Sequence, residues 1–178
     1  MNGDAQVLLG GSGGQGLVLA GIILAQAALE CGYHVAQTQQ YGIASRGGFS
    51  GAGVVMSKQP VLYPFVTEPS AVVCLSVEAI DKYCRSLPGH VPVLYDSRLG
   101  RVPLTGRGHP LPIHMQARAL RMAESANIVS LGALTRHLRA VDLDSLSRVI
   151  SQRFSGPVRD ANLQALLAGW ELEEEHHD

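Results

Sequence analysis

A glycine-rich segment near the start of the chain constrains the fold more than any other feature. A short apolar run at residues 6–9 leads into five glycines within residues 10–16, and an apolar stretch at residues 17–29 follows at once. This order is typical of a strand, a tight loop and a helix, because glycines let the backbone turn sharply and approach a neighbour closely. The free N–H groups at the start of the helix would face whatever fills the loop. The loop is therefore either a cradle for an anion or a close-packed contact surface.

The composition indicates one domain with an unusually uncharged surface. We treat the 178 residues as a single domain, 1–178, long enough for a real hydrophobic core. Charged residues make up 16% and apolar residues 46%, against roughly 25% charged in typical soluble domains. Because the cores of permanent interfaces are depleted in charge, this balance favours a subunit of a larger assembly over an ordinary domain with a large core. The net charge of −1, without a basic stripe, argues against a nucleic-acid partner.

No residue pattern indicates a metal centre or a membrane segment. The three cysteines, Cys31, Cys74 and Cys84, form no C-x-x-C pair and are too few for an iron–sulfur cluster, so we expect reduced thiols. The seven histidines are scattered, without the spacing of a metal site. The first residues lack the basic start of a signal peptide, and Gln26 interrupts the longest apolar stretch well short of the ~18 residues of a membrane span. We therefore expect a cytoplasmic protein with no membrane contact.

Strand and helix patterns alternate along the chain and predict a single α/β domain. Apolar runs and period-two alternation predict strands at residues 6–9, 33–38, 50–57, 61–63, 71–75 and 91–95, with room for one short edge strand in the Pro- and Gly-rich residues 98–112. Helical patterns cover residues 17–29, 77–87, 115–125, 128–138, 143–154 and 162–173. A tight turn at Lys58 and Gln59 would pair two of these strands antiparallel. The predicted architecture is a mixed β-sheet with flanking helices, a Rossmann-like N-terminal strand, Gly loop and helix, and a helical C-terminal third.

Several local signals fix how the helices pack and begin. The helix at residues 17–29 is apolar on nearly every side, so it must be sandwiched, either within the domain or between two chains. Ser76 and Asp142 are placed to cap the helices that follow them. Gly132 and Ala133 allow two helices to approach closely.

The glycine-rich loop matches the pattern G-x-G-x-x-G between a strand and a helix. Its residues are the candidates for cofactor binding: Gly11, Ser12, Gly13, Gly14, Gln15 and Gly16. A nicotinamide or flavin dinucleotide would be the first guess, but the acidic residue that should end the second strand is missing from residues 35–40. The lysine and hydroxyl of a phosphate-binding P-loop are also absent. The pattern alone is weak support for a dinucleotide.

A second block connects the second predicted strand to the third. Its candidate ligand or interface residues are Tyr41, Gly42, Ser45, Arg46, Gly47 and Gly48. The Arg46 guanidinium, beside two glycines, could hold a phosphate or carboxylate through paired hydrogen bonds; otherwise it faces water or pairs with an acid. Both glycine-rich loops follow strands, so with those strands parallel they would open at one edge of the sheet, where ligands usually sit.

These motifs resemble the gamma subunit of 2-oxoacid:ferredoxin oxidoreductases, the pyruvate and 2-oxoglutarate ferredoxin oxidoreductase family. The resemblance rests on Gly-Gly-Gln-Gly at residues 13–16 together with Tyr-Gly-x-x-Ser-Arg-Gly-Gly at residues 41–48. It continues in order through Tyr63-Pro64, Asp96-Ser97, residues 127–132 and residues 162–165. The second block looks more like the 2-oxoglutarate or pyruvate type than the indolepyruvate type. Ile43 and Ala44 stand where many relatives carry Pro and Glu, which affects the substrate rather than the family.

The resemblance implies a division of labour among subunits. Such enzymes decarboxylate a 2-oxo acid on thiamine diphosphate, pass electrons through iron–sulfur clusters to ferredoxin, and release an acyl-coenzyme A. Thiamine diphosphate, Mg and the 4Fe-4S clusters are then expected on partner alpha, beta and delta subunits, with no cofactor, metal or catalytic residue held by this chain alone. The implied role of this chain is to complete the active site at an interface and to contact coenzyme A, its phosphates meeting the glycine loop and Arg46.

Three alternatives remain open from the sequence. The chain could be the small subunit of an indolepyruvate oxidoreductase. It could be a stand-alone dinucleotide-binding oxidoreductase, which would bind a nicotinamide or flavin unaided. It could also be a purely architectural subunit whose glycines serve only close packing.

Overall fold

A six-stranded mixed sheet runs through the computed structural model, which describes residues 4–42, 47–104 and 107–174. The strands are β1 (Ala5–Ser12), β2 (His34–Tyr41), β3 (Phe49–Ser57), β4 (Ala71–Cys74), β5 (Val93–Asp96) and β6 (Gly108–Leu111), in the spatial order β2-β3-β1-β4-β5-β6. The helices are α1 (Leu17–Glu30), α2 (Val77–Cys84), α3 (Ile113–Ala119), α4 (Ala126–Thr135), α5 (Leu143–Arg153) and α6 (Gly156–Trp170). The predicted α/β class and the helical C-terminal third are confirmed.

Strand β3 runs against all the other described strands of the sheet. It pairs antiparallel with β1 on one side and with β2 on the other, whereas β4, β5 and β6 follow β1 in parallel. Ser12 at the end of β1 lies opposite Phe49, and Tyr41 at the end of β2 lies opposite Ser50. Strands β1 and β2 therefore run in the same direction, and the segments that follow them leave the sheet at the same edge.

Helices cover both faces of the sheet and create two separate apolar clusters. On one face α1 lies between the sheet and the C-terminal helices, with Ile23 and Leu24 fully buried. The nearly all-apolar helix is thus sandwiched within the chain itself. On the other face α2 packs Tyr83 against β1 and β3, where a β-carbon at Gly10 would come within 2.5 Å of the Tyr83 ring.

The strand predicted at residues 61–63 is wrong, and the reason that the sheet is mixed differs from the expected one. The turn after β3 leads into a loop rather than a hairpin partner, and Leu62 is 94% exposed. The backbone N–H groups of this loop donate to side chains instead: Lys58 to Asp4 at 2.8 Å, and Thr67 to Gln6 at 2.7 Å. Prolines on both sides of the apolar run remove N–H donors that a strand would need. The antiparallel pairing comes from β3 with β1 and β2.

Helix caps were more predictable than helix lengths. The Ser76 hydroxyl accepts the Ala79 N–H at 3.2 Å, and the Asp142 carboxylate accepts the Ser145 N–H at 2.8 Å, which confirms both caps. Helix α3 begins at Ile113 and ends at Ala119, earlier than predicted at both ends. Helix α6 begins at Gly156, six residues before the predicted start, because Pro157 in its first turn is favourable there. The short edge strand is β6, which contains Pro110.

Helices α4 and α6 touch backbone to backbone through two glycines. A β-carbon at Gly132 would overlap the Leu166 carbonyl, and one at Gly169 would overlap the Val129 carbonyl. The close packing expected at Gly132 is therefore confirmed, with Gly169 as its counterpart. Among the described residues, no helix has the length and apolarity to cross a bilayer.

Replacing Gly169 with alanine should strongly destabilise the fold, since the overlap can be relieved only by moving α6 away from α4. We expect a loss of about 3 kcal/mol or more, which lowers Tm by roughly 10 °C for a chain of this size. Thermal unfolding followed by circular dichroism measures the change. Gly89→Ala is the matched control, because a β-carbon there meets nothing within 4 Å. A Tm for Gly169→Ala equal to that of Gly89→Ala would contradict the packing described here.

Candidate functional site

The two glycine-rich loops meet at the carboxyl edge of the sheet. The Gly13 N–H donates to the Gly48 carbonyl at 2.7 Å, and the Gly42 N–H donates to the Phe49 carbonyl at 2.7 Å. Tyr41 is exposed at the end of β2, its hydroxyl 2.7 Å from the Gln39 side chain. Of the second block, Ser45 and Arg46 lie outside the described residues. The structure thus brings the two predicted segments together through backbone contacts.

Within the part of the chain that the structure describes, the N–H groups at the start of α1 have no hydrogen-bond partner, and they face the space beside these loops. Gly16 is the N-cap residue, with φ of 73°, and no side chain of the described residues caps the helix. Only at Ala20, whose N–H donates to the Gly16 carbonyl at 3.0 Å, does hydrogen bonding within the helix begin. The first turn carries no acidic residue to occupy the positive end of the helix dipole. Gly13 and Gly14 are exposed, so an anion from solvent or from a neighbouring chain can reach this end.

Gln15 supports the glycine loop from behind rather than facing outward. Its side-chain oxygen accepts the Ser12 N–H at 2.6 Å, and its side-chain nitrogen donates to the Leu75 carbonyl at 3.3 Å. The same nitrogen lies 3.4 Å from Nε2 of His114. Among the six predicted loop residues, Gln15 therefore acts through its side chain within the protein, and the remaining five offer main chain or, at Ser12, a short hydroxyl.

Asn127 holds the other end of the loop; it begins the matched segment 127–132, but sequence reasoning gave it no role. Its side-chain nitrogen donates to the Gly16 carbonyl at 3.0 Å, and its side-chain oxygen accepts the Ile128 N–H at 2.9 Å. A β-carbon at Gly16 would come within 2.5 Å of the Asn127 amide, so glycine is required here for contact as well as for backbone conformation. The residue comes from α4, more than 100 positions along the chain.

A buried carboxylate and a histidine lie beneath the same edge, and sequence reasoning gave neither of them a role. Asp96 ends β5 and is fully buried. One carboxylate oxygen lies 2.5 Å from Nδ1 of His114 and accepts the His114 backbone N–H at 2.8 Å; the other accepts the backbone and side-chain N–H groups of Arg98, each at 3.0 Å. The sequence does place an acidic residue, Asp96, at the end of a predicted strand. That position could have marked Asp96 as a site candidate, because the carboxyl ends of parallel strands lie at ligand sites.

The pKa of Asp96 reflects two opposing effects. Burial raises it, but the hydrogen bonds from His114 and Arg98 outweigh burial and lower the pKa from 3.8 to about 2. The carboxylate is therefore ionised at neutral pH, and the positive charge of Arg98 at 3.0 Å offsets its negative charge at the sheet edge.

The three cysteines are free thiols. Cys74 and Cys84 share the apolar cluster under α2, where the hydrogen bond with Cys84 and burial raise the pKa of Cys74. Within residues 4–42, 47–104 and 107–174, no group of three or more His, Cys, Asp or Glu side chains could hold a metal ion.

Comparison with known proteins gives consistent similarities over nearly the whole chain. A family model described as pyruvate ferredoxin/flavodoxin oxidoreductase matches residues 6–172. The chain is 36% identical over 177 residues to the 2-oxoglutarate synthase subunit KorC of Methanocaldococcus jannaschii, covering 96% of this chain and 94% of that subunit.

Two solved structures share the fold. The gamma subunit of a keto/oxoacid ferredoxin oxidoreductase from Geobacter sulfurreducens superimposes with a TM-score of 0.81 at 32% identity, over 94% of this chain and 95% of that one. A 2-oxoglutarate:ferredoxin oxidoreductase from Magnetococcus marinus, with 2-oxoglutarate, coenzyme A and succinyl-CoA bound, gives a TM-score of 0.86 at 22% identity. This chain corresponds to 30% of that longer chain, and the likeness there is one of fold.

Replacing Asp96 with asparagine should lower the free energy of unfolding at pH 7 by about 2 kcal/mol, the value that corresponds to its pKa shift. A depressed pKa stabilises the folded state above the unfolded-state pKa, and this stability is lost as pH falls through the folded-state pKa. The difference in the free energy of unfolding between wild type and variant should therefore become smaller as the pH falls from about 4 to about 2. Urea denaturation at pH 7, 4 and 3 measures it. A difference that stays constant down to pH 3 would show that the Asp96 charge carries none of the stability.

Proposed function

Because this chain belongs to the pyruvate ferredoxin/flavodoxin oxidoreductase family, we propose that it is the gamma subunit of a 2-oxoacid:ferredoxin oxidoreductase. In this proposal the complex carries out the oxidative decarboxylation of a 2-oxo acid to an acyl-coenzyme A with ferredoxin as electron acceptor, and the isolated chain is inactive. Similarity over almost the full length of a gamma subunit at 32% identity supports this assignment. The free thiols of the chain are in keeping with a cytoplasmic complex.

Within the complex, the glycine edge positions the phosphates of coenzyme A. The observation that carries this role is the 2.7 Å hydrogen bond between Gly13 and Gly48, which joins the two glycine loops beside the unpaired N–H groups of α1. Main chain without bulky side chains lets a phosphate approach several N–H donors at once. The Magnetococcus marinus enzyme, whose fold this chain shares, is a structure with coenzyme A bound.

We assign part of the phosphate binding to Arg46, because the start of α1 alone contributes too little binding energy. A helix N-terminus stabilises a nearby anion by roughly 0.3–1 kcal/mol, too little to hold a phosphate alone. An arginine adds charge-assisted, two-pronged hydrogen bonds to phosphate oxygens. Arg46 directly precedes Gly47 in the sequence, so it is the cation that we assign to the same edge.

The reactive centres belong to partner subunits in this proposal. Three cysteines in the whole chain are fewer than the four thiolates of an iron–sulfur cluster. The described residues also include no acidic cluster fit for Mg with a diphosphate. We therefore assign thiamine diphosphate with Mg to alpha and beta subunits, the 4Fe-4S clusters to a delta subunit, and electron delivery to ferredoxin to the complex as a whole.

The proposed substrate is 2-oxoglutarate. Four relatives named as KorC subunits of 2-oxoglutarate synthase are 31–36% identical to this chain, whereas two named as PorC subunits of pyruvate synthase are 27–28% identical. The larger identity favours 2-oxoglutarate over pyruvate, whereas two relatives named as VorA subunits of ketoisovalerate oxidoreductase, 31–34% identical, match the KorC subunits in identity.

The arrangement of the sheet argues against a stand-alone dinucleotide enzyme. In the dinucleotide-binding unit, the second strand lies beside the first and ends in the acid that binds the ribose. Here the antiparallel β3 separates β1 from β2, and β2 ends in Gln39, Gln40 and Tyr41. The G-x-G-x-x-G pattern thus lacks the adjacent parallel strand with a terminal acid that dinucleotide binding requires.

Replacing Arg46 with alanine in the assembled enzyme should raise the KM for coenzyme A about tenfold, because one charge-assisted contact contributes about 1.5 kcal/mol or more. The KM for the 2-oxo acid should not change. Steady-state kinetics of the purified complex measure both constants, and size-exclusion chromatography tests assembly. Arg85→Ala is the control, because Arg85 is an exposed arginine directly after α2 and is paired with Asp81.

The architectural alternative predicts the opposite result for the same variant. If the glycine loops serve only packing, Arg46→Ala weakens assembly and leaves the KM for coenzyme A of any assembled enzyme at the wild-type value. That result would remove the phosphate-binding role.

A further inference from the structure

We propose that Asp96 and His114 are positioning residues for coenzyme A, which act through Gln15 to hold the glycine loop in its binding shape. This inference rests on the proposed function, since it assigns a support to the same binding edge. Neither residue touches the ligand in this scheme; each acts on the residue before it in a chain of hydrogen bonds from β5 to the loop.

The first link fixes the histidine ring. The ionised Asp96 carboxylate can only accept hydrogen bonds, so Nδ1 of His114, 2.5 Å away, carries the proton that lies between them. The His114 backbone N–H, at 2.8 Å, ties the same oxygen to the first turn of α3. In the ring form that carries its one proton on Nδ1, Nε2 is an acceptor, and the carboxylate sets its direction.

The second link fixes the glutamine amide. Gln15 meets a donor, the Ser12 N–H, on one side and an acceptor, the Leu75 carbonyl, on the other, which determines where its oxygen and nitrogen lie. The nitrogen then also faces Nε2 of His114 at 3.4 Å, a donor opposite an acceptor. Each polar group in this chain meets a group of the complementary kind.

The third link is the loop itself. The Ser12 N–H that Gln15 holds is followed directly by Gly13, whose N–H makes the bond to Gly48. The glycine loop is thereby connected to the ends of three parallel strands. The connections run through Ser12 at the end of β1, Leu75 after β4 and Asp96 at the end of β5. Glycine loops lose much conformational entropy when they bind a ligand, so a loop held in advance binds at lower cost.

His114→Asn isolates the link to Gln15. The asparagine nitrogen can replace Nδ1 opposite Asp96, but the side chain is too short to place an acceptor where Nε2 stood. In the purified complex we expect the KM for coenzyme A to rise about fivefold, the change that corresponds to about 1 kcal/mol for one hydrogen bond. The KM for the 2-oxo acid and kcat should stay at wild-type values. His114→Gln places an oxygen near the Nε2 position but supplies no donor to Asp96, so it should restore the KM for coenzyme A only in part.

His109→Asn is the matched control, because His109 is also a histidine bonded to a carboxylate, Glu174, at 2.6 Å. It should leave every constant unchanged. On a Gln15→Met background, His114→Asn should add nothing further, because the contact it removes is already gone. If His114→Asn prevents assembly, Gln15→Met removes every bond by which the chain of contacts reaches the loop, and a wild-type KM for coenzyme A in that variant overturns the proposal.

Failure of this inference is distinguishable from failure of the proposed function. If Arg46→Ala raises the KM for coenzyme A but neither His114→Asn nor Gln15→Met does, the support from Asp96 and His114 is wrong and the binding edge stands. If none of the three variants raises it, the binding edge itself is wrong. If His114→Asn raises both KM values equally, His114 is a general structural residue and the positioning role is lost.

Discussion

The structure depends on the antiparallel strand β3, which lies between β1 and β2 and lets both run in the same direction. Without that strand the two glycine-rich loops would not be neighbours across a single backbone hydrogen bond, the 2.7 Å contact from Gly13 to Gly48. A β-carbon at Gly13 would lie 3.5 Å from the Gly48 carbonyl, an ordinary van der Waals contact, so the approach of the two loops is set by the pairing of β1 with β3 rather than by the lack of a side chain at Gly13. The result is an edge of the sheet made almost entirely of main chain, adjacent to the uncapped start of a helix buried on most sides.

Most of what holds this edge in place comes from distant parts of the sequence. Asn127 binds the Gly16 carbonyl from α4, and Gln15 connects the loop to the ends of β4 and β5 through Leu75 and His114. Such contacts give the loop one conformation before any ligand arrives. They also hold a glycine-rich segment, which would be flexible in isolation, in one shape, as the proposed binding of coenzyme A requires.

The sequence predicted helices and helix caps well, because these depend on nearby residues. It predicted strands less well, because a strand depends on pairing with a distant segment. Helix α1 follows from its apolar run, and the caps Ser76 and Asp142 follow from hydrogen bonds within four residues. The false strand at residues 61–63 is as apolar as a true one; it fails because no neighbouring strand pairs with it. Strand β1 extends through Ser12 because β3 supplies partners for Gly10 and Gly11, which no local propensity would suggest. Among the site residues, the glycine loops and their meeting could be anticipated, whereas Asn127 and His114 could not, since their contacts span about 100 positions.

In the proposed complex, this chain supplies a binding surface for coenzyme A and its partner subunits carry the redox chemistry. Hydrogen exchange with mass spectrometry on the purified complex, with and without coenzyme A, tests that division most directly. The account predicts that coenzyme A slows exchange of the amides of residues 14–19, the loop and first turn of α1, and that the 2-oxo acid alone does not. Unchanged exchange across these residues at saturating coenzyme A, with slower exchange only on other subunits, would contradict it.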